Sequence, residues 1–231
     1  MSKVLTASIC IITYNQEKYL NQCIEAALTQ TVKSKEIIIA DDCSTDNTPK
    51  ICQEYQSKYP DVIKYNRRKK NLGVVGNWIE TLKEAKGEYI ALCEGDDYWT
   101  DSNKVQKQLN FLSDNPEYIL TYHKWVNIHS NSQIKEDEIQ NSKKIISPMT
   151  LTLLFRNKPE LYMDILRHNP ATADTPIRFA LKEYGKFKFL DNIKPSIRRV
   201  HGENVMGAMN KYKQLPMRIQ TQEALLSYYK N

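Results

Sequence analysis

The sequence predicts an α/β fold built on a mostly parallel, doubly wound sheet with helices on both faces. Three observations predict it. Short apolar runs without polar alternation, ASICIIT at 7–13, EIIIA at 36–40 and YIALC at 89–93, read as strands buried on both faces. Segments with a single apolar stripe at helical spacing lie between them, which is the alternation of β-α-β units. Acidic residues directly follow two of these strands, at the edge where such sheets bind ligands.

Ala7–Thr13 is the first strand, and Leu20, Cys23, Ile24, Ala27 and Leu28 then recur at helical spacing. Glu36–Ala40 is the second strand. Thr48-Pro49, a cap followed by a first-turn proline, opens a helix through about Tyr59, and Val62–Tyr65 is a shorter third strand. Trp78, Ile79, Leu82 and Ala85 mark a helix ended by Gly87, before the strand Tyr89–Cys93. Asp101-Ser102 caps a helix carrying Val105, Leu109 and Leu112, and Tyr118–Tyr122 completes the sheet. Ser130–Lys144 is polar and without apolar periodicity, which predicts a mobile connection. It divides a single domain, 1–231, into halves at 1–125 and 126–231. Beyond it the pattern predicts an apolar run at Leu151–Phe155 and helices at Pro159–Leu166 and Thr175–Tyr184, the latter stopped by Gly185. Short strands at Phe187–Leu190 and Ile197–Val200 and a helix near Gln220–Tyr229 follow.

Composition excludes several classes. With 231 residues, 41% hydrophobic and 26% charged, the chain can bury a core without staples and is neither disordered nor a disulfide scaffold. The five cysteines are odd in number and form no C-x-x-C pair, so they read as buried free thiols. No apolar run approaches the roughly 20 residues of a membrane span, and the start has no signal-peptide pattern, giving an expectation of a soluble, cytoplasmic chain. The net charge of +6 is concentrated partly in Arg67-Arg68-Lys69-Lys70, read as a solvated loop, and no aromatic interleaving suggests nucleic-acid binding.

The chemistry gathers in three acidic sites: Asp41-Asp42, Glu94-Gly95-Asp96-Asp97, and Asp174 at a helix start. Either pair alone reads as turn residues. Together they share one sheet edge, and crowded carboxylates call for a cation with hard oxygen ligands, such as Mg²⁺ or Mn²⁺, with phosphate completing the shell. A phosphate-acceptor switch domain would need a lone Asp and a Lys at later strand ends, an arrangement not found in the chain.

The residues SICIITYN (8–15) with Tyr19-Leu20, Gln30-Thr31, EIIIADDCSTDNT (36–48), Asn71-Leu72-Gly73, GEYIALCEGDDYW (87–99) and Lys104–Leu112 resemble the family 2 glycosyltransferases, inverting enzymes with the GT-A fold. Their order and spacing cover about the first 125 residues. Leu154–Asn157, Ala173-Asp174-Thr175 and Arg199-Val200-His201-Gly202 resemble the acceptor-side segments. The resemblance implies a UDP-sugar donor bound by Thr13, Tyr14, Asn15, Asp41, Asp42, Asn71, Gly73 and Asp96. A dTDP-sugar shares the imide that a carboxylate would recognise. It further implies Mn²⁺ or Mg²⁺ on Asp97, with His201 in reach, and Asp174 as the general base, although Asp174 before Thr175-Pro176 also suits an N-cap. Trp99 and Arg156 fall on the acceptor side. The implied acceptor is a glycan or lipid-linked sugar of a bacterial surface polysaccharide, which would place the chain peripherally on the inner membrane face. Ala173, Arg198 and Val75-Gly76 depart from the family pattern. Two other classes share features of the first half. A nucleotide-sugar-binding module without turnover shares all of it, whereas a nucleotidyltransferase would carry a glycine-rich basic loop in place of Thr13–Glu17.

Overall fold

The computed structural model describes residues 5–129, 139, 143–202 and 211–230. Most of the predicted connection Ser130–Lys144 lies outside them. The elements, in order, are β1 (Thr6–Thr13), α1 (Leu20–Leu28), β2 (Ser34–Asp41), α2 (Thr48–Lys58), β3 (Ile63–Arg67), α3 (Gly73–Glu84), β4 (Tyr89–Glu94), α4 (Lys104–Asp114) and β5 (Tyr118–Tyr122). They continue with β6 (Trp125–Ile128), β7 (Leu154–Arg156), α5 (Pro159–Leu166), α6 (Asp174–Lys182), β8 (Lys186–Phe189), β9 (Ser196–Arg199) and α7 (Lys211–Lys230). The central sheet has seven strands in the order β3-β2-β1-β4-β7-β5-β8, and β6 pairs with β9 in a second, two-stranded sheet.

The expected alternation is present, and its cause is visible in the burial. Ile9, Ile11, Ile37, Ile39, Ala91 and Cys93 point to one face, under α1, α2 and α4. Their neighbours Cys10, Ile12, Ile38, Ala40, Ile90 and Leu92 point to the other face, packed with Trp78 and Leu82 of α3, Tyr162 of α5 and Ile177 of α6. Period-2 side-chain placement therefore requires apolar residues at consecutive positions. Each fully buried Ile or Leu contributes roughly 1.5–3 kcal/mol. The five cysteines are free; Cys23 and Cys93 face each other with sulfurs 3.7 Å apart, in hydrogen-bond contact and unbonded covalently. Gly87 is required at the entrance to β4, where a Cβ would run into the Ser8 backbone.

The sheet does not end at β5, as the sequence reading expected. β7, from the second half, lies between β4 and β5 and runs antiparallel to both, and β8 extends the far side of β5. The helix at the end of the described chain is also longer than expected, beginning at Lys211. Among the described residues, no helix is long and apolar enough to cross a membrane.

Candidate functional site

Strand order reverses on either side of β1, where β2 pairs along one edge and β4 along the other, so the carboxyl ends of these strands open a crevice. A cavity of about 610 Å³ occupies it. Its lining includes Thr13, Tyr14, Asp42, Asn71 and Gly73 from the first half, and Asp174, Arg198 and Arg218 from the second.

The structure separates the two adjacent aspartates after β2. Asp42 faces the cavity; its N–H donates to Thr13 O at 2.9 Å and its Oδ1 accepts the Leu72 N–H at 2.7 Å. Burial pushes its carboxyl up, against the lowering pull of the Leu72 and Gly73 backbone N–H groups and of Arg68. Asp41 turns away. Its Oδ1 accepts Ser44 N–H at 2.8 Å, its Oδ2 accepts the Tyr65 hydroxyl at 3.0 Å, and Arg67 Nε stands 3.5 Å off. Asp41 is thus a structural anchor, which corrects its assignment to the donor. Asn15 is corrected in the same way. At φ +53° its side-chain oxygen accepts Thr45 N–H at 2.8 Å and its own N–H donates to Ser44 Oγ at 2.9 Å, tying the loop after β1 to the loop after β2. The basic block is only partly solvated: Arg67 donates to Ser44 O, and Arg68 binds Asn77, Thr81 and Glu84.

Beside them, β4 ends in Glu94, and the carboxylate oxygens of Glu94, Asp96 and Asp97 lie within 4.8 Å of one another. A Cβ on Gly95 would stand 2.5 Å from Gln16 Oε1 and 2.9 Å from Thr13 Oγ1, so the turn can approach β1 only as glycine. The second half pins this turn. Arg199 N–H donates to Asp97 Oδ1 at 3.0 Å, and its Nη1 donates to Asp96 O at 2.6 Å. Its guanidinium sits over the Tyr98 ring at 4.7 Å and the Tyr19 ring at 5.3 Å, and also reaches Gln22. His201 stacks on Tyr19 with centroids 4.6 Å apart and places Nε2 3.1 Å from Asp96 Oδ2. It is thus in direct contact with one member of the carboxylate group, Asp96.

Crowding has an electrostatic signature. Burial, then Asp96 and Asp174, push Glu94 up to about 8, against the pull of Arg198. Burial, Asp96 and Glu94 likewise push Asp97 well above the carboxylate range. Such a group is relieved by a divalent cation, and an all-oxygen donor set suits Mg²⁺ or Mn²⁺. Thr13 Oγ1 and Gln16 Oε1, buried against the same turn, have no hydrogen-bond partner. The residues present fit a hard cation with a polar ligand beside it.

Asp174 is the first residue of α6 and lines the cavity with these carboxylates. It does not cap its helix: the capping position is Ala173, without a side-chain cap, and Asp174 Oδ2 stands 3.5 Å from Arg178 Nη2 one turn on. Two acceptor-side assignments are corrected. Trp99 is 5% exposed within the core, donates to Leu151 O at 2.7 Å, and lies under Lys104. Arg156 stands at the other end of the sheet, because β7 runs antiparallel to β4 and brings Arg156 opposite Tyr89, where it bonds Tyr118 O, Leu112 O and the Tyr89 hydroxyl. Three further residues line the cavity: Glu94, named in the sequence within the acidic site after β4 but given no role, Arg198, named only as a departure from the family pattern, and Arg218, which was not singled out. The Glu94-x-Asp96 spacing at a strand end was the signal for the first; nothing in the sequence places the arginines.

The family model for glycosyl transferase family 2 matches residues 8–171. An uncharacterized protein of Mycobacterium tuberculosis, Rv1520, is 38% identical over 170 residues, covering 73% of this chain and 49% of that one. UDP-Glc:alpha-D-GlcNAc-diphosphoundecaprenol beta-1,3-glucosyltransferase WfaP of Escherichia coli is 41% identical over 105 residues, 46% of this chain and 40% of its own length. The chain thus spans about half the length of the curated relatives it matches. Among solved structures, Staphylococcus aureus TarS 1-349 in complex with UDP-GlcNAc superposes with TM-score 0.67 at 20% identity, covering 95% of this chain and 66% of that one. Mannosyltransferase PcManGT from Pyrobaculum calidifontis, in complex with GDP-Man and Mn²⁺, gives TM-score 0.70 at 12% identity, covering 97% and 64%. Both likenesses establish the GT-A fold.

Proposed function

The chain belongs to glycosyl transferase family 2, and on that premise we propose that it moves a sugar from a UDP-sugar to a hydroxyl of a glycan or lipid-linked acceptor, with inversion at the anomeric carbon. The observation that carries this reading is the convergence of Asp42, the Glu94–Asp96–Asp97 group and Asp174 on one cavity. The three sites come from different elements and offer the three things such a transfer needs.

Asp42 accepts the imide N–H of uracil, a contact that guanine does not offer in the same geometry. Thr13, Tyr14, Asn71 and Gly73 line the nucleotide end, and Asp96 meets the ribose, held in place by His201. Asp97, with Glu94 and Asp96 beside it, would hold Mn²⁺ or Mg²⁺, which supplies Lewis-acid neutralisation of the departing diphosphate. Asp174 takes the proton of the acceptor hydroxyl. The acceptor oxygen forms its bond to the anomeric carbon as the bond to the diphosphate oxygen breaks, and that electron pair leaves with UDP. One displacement from the face opposite the diphosphate inverts the centre. WfaP, by its name, acts on an acceptor linked to diphosphoundecaprenol. A similar acceptor here would bring the chain to the inner membrane surface as a peripheral protein.

Calorimetric titration of UDP, dTDP and GDP in Mg²⁺ tests the donor assignment. UDP is expected to bind at least about tenfold more tightly than GDP, and a preference for GDP overturns the role of Asp42.

A further inference from the structure

Two arginines line the cavity without an ion pair. Arg198, in β9, donates from Nη1 to Asn127 Oδ1 at 3.2 Å across the β6–β9 ladder, where the two residues are in register. Arg218, in α7, donates from Nη2 to Gln214 Oε1 at 3.3 Å, one turn back on its own helix. Among the described residues, Arg67, Arg68, Arg167 and Arg178 stand within ion-pair distance of a carboxylate, Arg156 and Arg199 commit their guanidinium groups to several backbone and side-chain oxygens within the fold, and Arg198 and Arg218 each make one side-chain hydrogen bond and no ion pair. This holds although five carboxylates, Asp42, Glu94, Asp96, Asp97 and Asp174, line the same cavity. A guanidinium carries five N–H donors in a planar fork that matches phosphate oxygens, so each arginine keeps most of its donors for a ligand.

We propose that Arg198 and Arg218 form a phosphate-binding subsite on the acceptor side of the cavity, so that the acceptor reaching Asp174 carries a phosphate close to its reacting hydroxyl. The inference deepens the glycosyl-transfer reading and rests on it. Both arginines come from the half of the chain that supplies Asp174, whereas the nucleotide end is lined by the loops after β1, β2 and β3. The donor's diphosphate has its own counter-charge at the β4 carboxylates once a cation is bound. An acceptor phosphate has none there, and it must enter among five carboxylates that repel it. Arg218 is exposed and can meet it first. Arg198 lines the cavity together with Glu94, of the carboxylate group, and Asp174, the proposed base.

The test is calorimetry on the whole chain, saturated with UDP and Mg²⁺, with inorganic phosphate as the probe at constant ionic strength. Phosphate is expected to bind this complex, and Arg198→Gln and Arg218→Gln are each expected to weaken it by about fivefold or more. UDP affinity should stay within about twofold of the parent, and the lysine variants should recover part of the loss. Phosphate binding that is absent, or unchanged in both glutamine variants, overturns the subsite. So does a fall in UDP affinity in Arg198→Gln, which would assign the arginine to the donor's diphosphate. If the parent chain binds no nucleotide, the glycosyl-transfer reading fails separately, and the same phosphate titration without UDP still decides for or against the arginines. Arg218→Gln alters an exposed helix position, so its result stands even where Arg198→Gln unfolds.

Discussion

Asp97 ends the turn after β4, 2% exposed, with its carboxylate beside two others and held by one backbone N–H from Arg199. Its burial is a cost to folding that a bound cation would offset. Asp97→Asn is therefore expected to keep or raise the melting temperature while UDP affinity in Mn²⁺ falls by about tenfold or more. Calorimetry with and without the metal checks this, and unchanged affinity removes Asp97 from the metal site. Asp174 allows a cleaner separation. Since it caps nothing, Asp174→Asn should leave the melting temperature and UDP affinity nearly unchanged and cut transfer by roughly 10²–10⁴. A variant that melts early with normal turnover of its folded fraction would make the carboxylate structural. The placement of these two at one cavity was legible because each lies at a recognisable element boundary. It was not legible for Asp41 against Asp42: two adjacent carboxylates look alike in sequence, and only the strand pleat sends one towards Tyr65 and the other into the cavity.

At the scale of elements, α4 buries a charge that the function does not use. Lys104 is fully buried, with Nζ 3.5 Å from Leu153 O and 4.1 Å from the centre of the Trp99 ring. Burial pulls its ammonium down to about 7. Unfolded, the same group titrates near 10.4. Between these values the unfolded chain binds the extra proton, so unfolding becomes harder as pH rises, by up to about 1.4 kcal/mol per pH unit from this group. Lys104→Met should therefore stabilise the chain most at or below about pH 7, with the gain shrinking towards pH 10. Urea unfolding at about pH 6.5, 8 and 9.5 checks it, and a gain independent of pH would show that Lys104 keeps its proton in the fold. The helices and parallel strands of the first half were legible because their apolar spacing is long and regular. β6 and β7 were not. β6 follows β5 after only His123-Lys124, with no Gly or Pro to mark a new strand, β7 showed only as the end of an apolar run, and its position inside the sheet depends on partners far away in sequence. That insertion also explains why Arg156 was misplaced, since an antiparallel strand delivers its last residue to the edge away from the site.

For the whole molecule, the interleaving of the halves matters more than the connection between them. β7 fills the gap between β4 and β5, and β9 bonds through Ile197 to Tyr98 and through Arg199 to the β4 turn. We propose that 1–231 is a single cooperative domain. A fragment ending at residue 125 would leave β4 without its ladder partner along an edge whose Ile90 and Ala91 are fully buried in the intact chain. It would also uncover the face of the sheet that packs against Tyr162, Ile165 and Ile177. Losing three such large contacts costs several kcal/mol, comparable to the whole margin of a domain of about 5–15 kcal/mol. The intact chain should then melt in one transition, coincident by far-ultraviolet dichroism and tryptophan fluorescence, and UDP with Mg²⁺ at about 100 times its dissociation constant should stabilise that single transition by about 2.7 kcal/mol. The 1–125 fragment should show no dispersed amide spectrum and bind no UDP. A well-dispersed fragment that binds UDP as tightly as the full chain would mean that the nucleotide half folds on its own, with Arg199 and β7 serving only the acceptor side.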